Sequence, residues 1–290
     1  MPLLSMKSAT GSTQKAVFHL GLIGSGIDHS PSPAMHRAAL EARRLGGEYE
    51  LLDVEPTGLP ALLNRLRDGE LSGCNVTVPY KSAIAAACDR LQGDAAVCRA
   101  VNTLVHENGE LVGENTDARG FELALGYLRL VPRAGGRALV LGAGGGAAAV
   151  VLALCRMRVE HVAVVARRPE QAADLCLRVS PENAQAIAWA DLDLVTAAAR
   201  QADVVVNATS ARVADLPLAV DLLPEHCIVA DLRYQPQPVD LVAAATQRAL
   251  PATDGVEMLL FQGMLSFQRW TGVDPPWHAA REALRAALAS

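Results

Sequence analysis

The chain has 290 residues, 51% hydrophobic, 20% charged and only 4% aromatic. This composition excludes a disordered chain. It calls for two cores built from Ala, Val and Leu, since single cores tend to divide above about 250–300 residues. With 26 basic and 31 acidic side chains the net charge is −5, which excludes a generic nucleic-acid binder and leaves any anionic ligand to local groups.

Residues 18–23 are predicted to form a first buried strand. A Ser-Pro-Ser-Pro turn then opens a helix over 33–45, with proline near its start. A second strand is predicted at 49–54, a helix at 59–67 and a third strand at 73–77, which Pro79 ends before a helix beginning at Lys81. Residues 100–106 and 111–113 read as a hairpin turning at Asn108-Gly109. From about Gly120 the rhythm restarts: a strand at 137–141, a glycine turn, an Ala-rich helix to about Met157, a strand at 161–166, a helix through Leu177, and short apolar strands at 204–207 and 227–231. This alternation predicts a second, parallel sheet. Residues 258–268 and 279–287 are helical in pattern and have no place in that sheet.

The six cysteines are scattered without a CxxC pair and read as reduced core thiols. The seven histidines form no HExxH, so no metal is expected. Residues 1–16 are polar and lack an apolar signal core, and the apolar run at 147–154 is too short to span a bilayer. A cytoplasmic location, with no membrane and no nucleic-acid partner, is the expectation.

The strand at 137–141 runs into Gly142-Ala143-Gly144-Gly145-Gly146-Ala147, a G-x-G-x-x-A turn at the start of a helix. Gly142 permits the tight turn, Gly144 lets backbone approach a pyrophosphate, and Ala147 allows helix and strand to pack closely. The free N–H groups of the helix N-terminus then face the phosphates. The pattern predicts a dinucleotide site. About twenty residues on, where NAD-selective folds place an acid against the ribose, the chain has Ala166-Arg167-Arg168. Two guanidinium groups suit a 2′-phosphate and favour NADP over NAD.

Polar residues crowd the strand ends of the first half: His29-Ser30-Pro31-Ser32-Pro33, Asn75-Val76-Thr77-Val78-Pro79-Tyr80-Lys81, Ala100-Val101-Asn102-Thr103 and Asn115-Thr116-Asp117. With Asn207-Ala208-Thr209-Ser210, Asp231…Tyr234-x-Pro236 and Asp254-Gly255…Gln262-Gly263, these segments resemble, in order, the signatures of the shikimate dehydrogenase family. The match runs from about Leu20 to Gly272.

The resemblance implies an α/β protein of two domains with a cleft between them. Residues 1–119 plus 256–290 would form the substrate-binding catalytic domain, and 120–255 a Rossmann-like NADP-binding domain. It implies the reversible reduction of 3-dehydroshikimate to shikimate, a step of aromatic amino acid biosynthesis, with Lys81 and Asp117 as the catalytic pair. Ser30, Ser32 and Tyr234 match groups that hold the substrate carboxylate, and Thr77, Asn102 and Gln262 match groups that bond ring hydroxyls or place Lys81. Thr209, Leu232 and Gly255 match the nicotinamide side. Hinge closure, and a monomer or homodimer, are compatible with this reading.

The chain departs from the family pattern at Ala166, Gln171, Arg212, Val239 and the Ser25-Gly26-Ile27-Asp28 segment. The first two weaken the case for strict NADP selectivity, and the last resembles quinate-using relatives. Three further readings therefore stand beside the first: a quinate/shikimate dehydrogenase with NAD or mixed cofactor use, a paralogue acting on an amino analogue, and a non-catalytic ligand-sensing module. Retention of both Lys81 and Asp117 argues against the last, which needs no proton-transfer pair.

Overall fold

The computed structural model describes residues 17–289. The polar stretch at 1–16 lies outside them. The chain runs β1 (Val17–Gly24), α1 (Ser32–Ala42), β2 (Gly46–Asp53), α2 (Leu59–Arg67), β3 (Gly73–Val76), α3 (Lys81–Ala87), β4 (Arg90–Leu91), α4 (Asp94–Cys98), β5 (Thr103–Glu107), β6 (Glu110–Glu114) and α5 (Asp117–Leu128). It continues with β7 (Arg137–Leu141), α6 (Gly145–Arg156), β8 (His161–Ala166), α7 (Pro169–Val179), β9 (Ala184–Ala188), α8 (Leu192–Ala199), β10 (Val204–Asn207), β11 (Ile228–Asp231), α9 (Asp240–Gln247), β12 (Ala252–Thr253), α10 (Val256–Thr271) and α11 (Trp277–Ala289).

Two six-stranded sheets result. The first has the order β2-β1-β3-β5-β6-β4 and is mixed: β1 runs parallel to β2 and β3, while β5 is antiparallel to both β3 and β6. The hairpin between β5 and β6 turns at Asn108 and Gly109, both with positive φ (52° and 88°), the geometry whose twist matches paired strands. The second sheet, in the order β12-β11-β10-β7-β8-β9, is parallel throughout, as its alternation of strand and helix predicts.

Both faces of the second sheet are covered. Along β7, Ala138 and Val140 face a core shared with α5, α6 and α7, while Leu139 and Leu141 face another shared with α8 and α9. A strand buried on both sides must be apolar at every position, which is why this one reads Ala-Leu-Val-Leu. The first sheet is covered on one side by α2, α3 and α4. The C-terminal helices pack on α1: Met35, Ala39 and Leu40 of α1 meet Leu260, Met264 and Phe267 of α10 and Ala280 and Leu284 of α11. Gly272, with φ of 67°, supplies the left-handed residue that ends α10. No helix among the described residues is long and apolar enough to cross a membrane.

Candidate active site

Lys81 is the first residue of α3, just beyond the end of β3. Its carbonyl accepts the N–H of Val101 (2.9 Å), and the Tyr80 hydroxyl before it donates to Val54 O (2.6 Å). The segment is therefore anchored on both sides. Asp117 opens α5. Its carboxylate does not cap the helix backbone: Oδ2 accepts from Lys81 Nζ at 2.5 Å and Oδ1 from Asn102 Nδ2 at 2.8 Å. The aspartate side chain is almost wholly buried, at 4% exposure, and the lysine reaches the surface with 18%. The ammonium makes no other hydrogen bond among the described residues, so two of its three protons remain available to a ligand oxygen.

A buried polar network stands behind the pair. Asn102 Nδ2 also lies 2.8 Å from Thr116 Oγ1 and 3.0 Å from Gln262 Oε1, and its Oδ1 accepts from Thr116 N and Thr103 Oγ1. Asn75 donates to Asn102 O (3.0 Å) and Ser266 Oγ (2.9 Å), and accepts from the Tyr49 hydroxyl (2.9 Å). Asn115 donates to Ala100 O and accepts from Asp117 N. Asn75, Asn102, Thr103, Asn115 and Ser266 are all buried, so each would be costly to bury without these partners.

Gln262 lies one turn from Ser266 on α10, facing α5. The two helices touch at Gly120, where an added Cβ would come within 2.7 Å of Gln262 Cβ and 2.9 Å of its N. Glycine there lets α10 bring Gln262 and Ser266 to Asn102.

The other residues expected on the substrate side, Ser30, Ser32, Thr77 and Tyr234, follow nearby strands. Ser30 Oγ lies 3.2 Å from Ser32 Oγ, and the Tyr234 phenol stands close to Ser30. Burial pushes that phenol above its ordinary range, and the Ser30 contact opposes the shift. The Thr77 hydroxyl makes no hydrogen bond among the described residues. Its methyl sits beside Gly24, where a Cβ would approach it to 2.7 Å. The unusual Ser25–Asp28 segment is held by Asp53, which accepts from Gly26 N (3.0 Å) and Ile27 N (3.2 Å).

On the second sheet, Gly142 turns with φ of 115° and α6 starts at Gly145. Space beside Gly144 is open: a Cβ there would meet nothing within 4 Å. An unobstructed backbone at a helix N-terminus fits a pyrophosphate. Gly145 is different, since its Cβ would lie 2.9 Å from Ala100 Cβ and 3.3 Å from Lys81 Cβ. The glycine turn and the lysine segment thus meet face to face. A Cβ added at Gly146 would lie 3.5 Å from Leu232 Cδ1, and the Leu232 carbonyl packs so closely on Gly255 that a Cβ there would fall 2.2 Å away. The Thr209 methyl lies against Gly142, whereas its hydroxyl is engaged internally by Asn207 Oδ1 (2.7 Å). Arg167 and Arg168 are exposed and unpaired by any carboxylate among the described residues. Arg167 lies over the Trp189 ring, 5.7 Å from its centroid. Arg212 is exposed, and its side chain has no partner among the described residues.

Sequence reasoning gave no role to Tyr49, Asn75, Trp189, Arg233 or Ser266. The only sequence signal for Ser266 is its four-residue spacing from Gln262 on one helix face. Asn75 stands inside the quoted Asn-Val-Thr segment, but nothing local says that its side chain turns inward.

The chain is similar to known families and to known proteins. Residues 22–104 match the family described as the shikimate dehydrogenase substrate binding domain, residues 129–216 the shikimate/quinate 5-dehydrogenase family, and residues 255–285 the shikimate 5′-dehydrogenase C-terminal domain. The shikimate dehydrogenase (NADP(+)) of Rubrobacter xylanophilus is 42% identical over 270 residues, covering 91% of this chain and 94% of that protein. Shikimate 5-dehydrogenase from Thermus thermophilus, solved in complex with NADP(H) and shikimate, superposes with a TM-score of 0.82 at 37% identity, covering 93% of this chain and all of that one. Quinate dehydrogenase from Corynebacterium glutamicum, solved with NAD, also gives a TM-score of 0.82, at 29% identity, covering 93% and 99% of the two chains. The chain belongs to the shikimate/quinate dehydrogenase family.

Proposed function

We propose that the chain interconverts 3-dehydroshikimate and shikimate with NADP, using Lys81 and Asp117 to move the alcohol proton. The observation that carries this reading is the short Lys81–Asp117 pair, buried on the aspartate side, open on the lysine side, and set against Gly145 of the nucleotide turn. Held at the Gly142–Gly146 turn, the nicotinamide cofactor would supply the hydride acceptor for oxidation and the hydride donor for reduction.

The protein's own groups do the rest. In reduction, the Lys81 ammonium donates a hydrogen bond to the substrate carbonyl, stabilises the developing alkoxide and gives it a proton. Asp117 holds the lysine by its carboxylate, and Asn102 holds Asp117. The proton is replaced through the same pair, and in oxidation the transfer reverses. Ser30, Ser32 and Tyr234 present hydroxyl donors to the substrate carboxylate, while Thr77, Asn102 and Gln262 face its ring hydroxyls or steady the pair. Gly142, Ala143, Gly144, Gly145 and Gly146 receive the pyrophosphate, and Arg167 and Arg168 the 2′-phosphate. Thr209, Leu232 and Gly255 line the nicotinamide side. Residues 1–119 plus 256–290 act as the catalytic domain and 120–255 as the cofactor domain.

A quinate/shikimate dehydrogenase with NAD or mixed cofactor use is the second reading, favoured by the likeness to the Corynebacterium quinate enzyme. One experiment separates the two: absorbance of the reduced nicotinamide with shikimate or quinate, each offered NADP or NAD. A higher kcat/KM for shikimate with NADP supports the first reading. Turnover chiefly of quinate with NAD supports the second, and no turnover in any combination ends both.

A further inference from the structure

Arg233 stands between Leu232 and Tyr234, the residues placed against the nicotinamide and the substrate carboxylate. Its own side chain is 14% exposed and lies between two carboxylates. Nε donates to Asp231 Oδ1 (3.0 Å), and a terminal nitrogen donates to Asp231 Oδ2 (2.7 Å) and Asp240 Oδ1 (2.5 Å). Each carboxylate is tied in turn to the loop after β10. Asp231 Oδ2 accepts from Asn207 Nδ2 (3.0 Å), and Asp240 Oδ2 accepts from Val213 N (3.0 Å). Asn207 in turn holds Thr209 through N and Oγ1, and donates to Ala211 O. A single planar cation thus joins the 207–213 loop to the 231–240 loop.

We propose that Arg233 is a positioning residue that clamps these two loops into one unit and thereby sets the Tyr234 phenol against Ser30. The proposal rests on the substrate reading above. Two features make the clamp specific to guanidinium. The fork reaches both carboxylates at once, which an ammonium cannot do with the same geometry. Without a cation, the buried Asp231 carboxylate would face the partly exposed Asp240 carboxylate as two unbalanced charges and push the loops apart. Tyr234 follows Arg233 directly, so loosening the clamp frees the phenol wall of the cleft, whereas Leu232 stays tied through its own N–H to Asn207 O (2.9 Å) and through its carbonyl packed on Gly255. Among the described residues, the Lys81–Asp117 pair shares no hydrogen bond with the clamp.

The test uses Arg233→Lys, which keeps the charge, and Arg233→Met, which removes it. With the active fraction titrated, Arg233→Lys is expected to raise the KM for shikimate about tenfold, the loss of one well-placed hydrogen bond to the carboxylate, with kcat changed far less. In a double-mutant cycle the rise disappears when Tyr234 is already Phe, since the effect travels through that hydroxyl. Amide hydrogen exchange of the full chain without ligand is expected to quicken in residues 208–213 and 233–240 in both variants, and to stay unchanged in α7. An unaltered KM in the titrated variants, additive effects with Tyr234→Phe, or unchanged exchange in the two loops overturns the proposal. If the wild-type chain does not turn shikimate over, the substrate reading has failed, and the exchange measurement alone decides whether the clamp exists.

Discussion

At the scale of single residues, Lys81 and Asn75 divide the site between chemistry and support. Lys81 keeps two N–H protons free for a ligand, so on the proposed mechanism its truncation removes the proton donor and leaves the proposed substrate-holding groups in place. Lys81→Ala is expected to lower kcat by about 10²–10⁴ while the KM for shikimate changes little, as steady-state kinetics can show. Asn75 is buried, and its side-chain amide is engaged by protein groups. Its truncation to Ala leaves the buried Tyr49 hydroxyl without its acceptor and removes one of the bonds at the Asn102 carbonyl and the Ser266 hydroxyl, which keep Val76 N and Thr103 Oγ1. Urea unfolding is expected to show a loss of about 2–3 kcal/mol, and kcat to fall as Asn102 loosens its hold on Asp117. The motif residues were legible from the chain alone because their types and order are unusual. Their supporting partners were not. Ser266 lies 191 residues from Asn75, and only folding brings the two together.

At the scale of elements, legibility followed burial. The strand β7, the glycine turn and α6 read clearly because a doubly buried strand, a turn needing positive φ and an Ala-rich helix each impose strict residue types. The edge strand β9 did not: its sequence Ala-Gln-Ala-Ile-Ala buries only Ile187, so no alternation marks it. Helix α8 exposes Leu192 and Leu194, which blurs its apolar face, and β4 and β12 are two residues each. The α5–α10 contact was equally hidden, since Gly120 reads as a helix weakness until Gln262 is seen against it. Gly120→Ala is expected to cost about 1–3 kcal/mol of stability, because the new methyl meets helix backbone as well as a side chain. It is also expected to lower kcat by shifting Gln262 relative to Asp117. Thermal melting together with turnover measures both, and wild-type values for both would show that the helices have room to spare.

For the molecule as a whole, acid stability depends on a histidine outside the chemistry. His36 of α1 is wholly buried, stacked on Tyr49 at 4.2 Å between ring centroids, and neither ring nitrogen has a hydrogen-bond partner. The polar atoms of nearby Asn75 are already engaged by Tyr49, Asn102 and Ser266. Burial pushes the imidazole from 6.5 down to about 3. Between those values the unfolded chain binds a proton that the folded one refuses. The contribution is therefore complete above about pH 6.5 and is lost as the pH falls toward 3, by about 1.4 kcal/mol per pH unit. Replacing His36 by Phe is expected to flatten the decline in unfolding free energy between pH 6 and 4, where denaturant titrations can follow it. An unchanged slope would place the acid sensitivity elsewhere.

The return of α10 and α11 to α1 also sets an order of events during translation. The second sheet is continuous in sequence from β7 to β12, so its strands emerge from the ribosome as one run and can be assembled while synthesis continues. Met35, Ala39 and Leu40 of α1, made much earlier, lack the main part of their cover until Leu260, Met264, Phe267, Ala280 and Leu284 emerge. The half of the protein that is made first is thus finished last. Until α10 and α11 emerge, it carries a partly uncovered apolar helix face of the kind that chaperones bind.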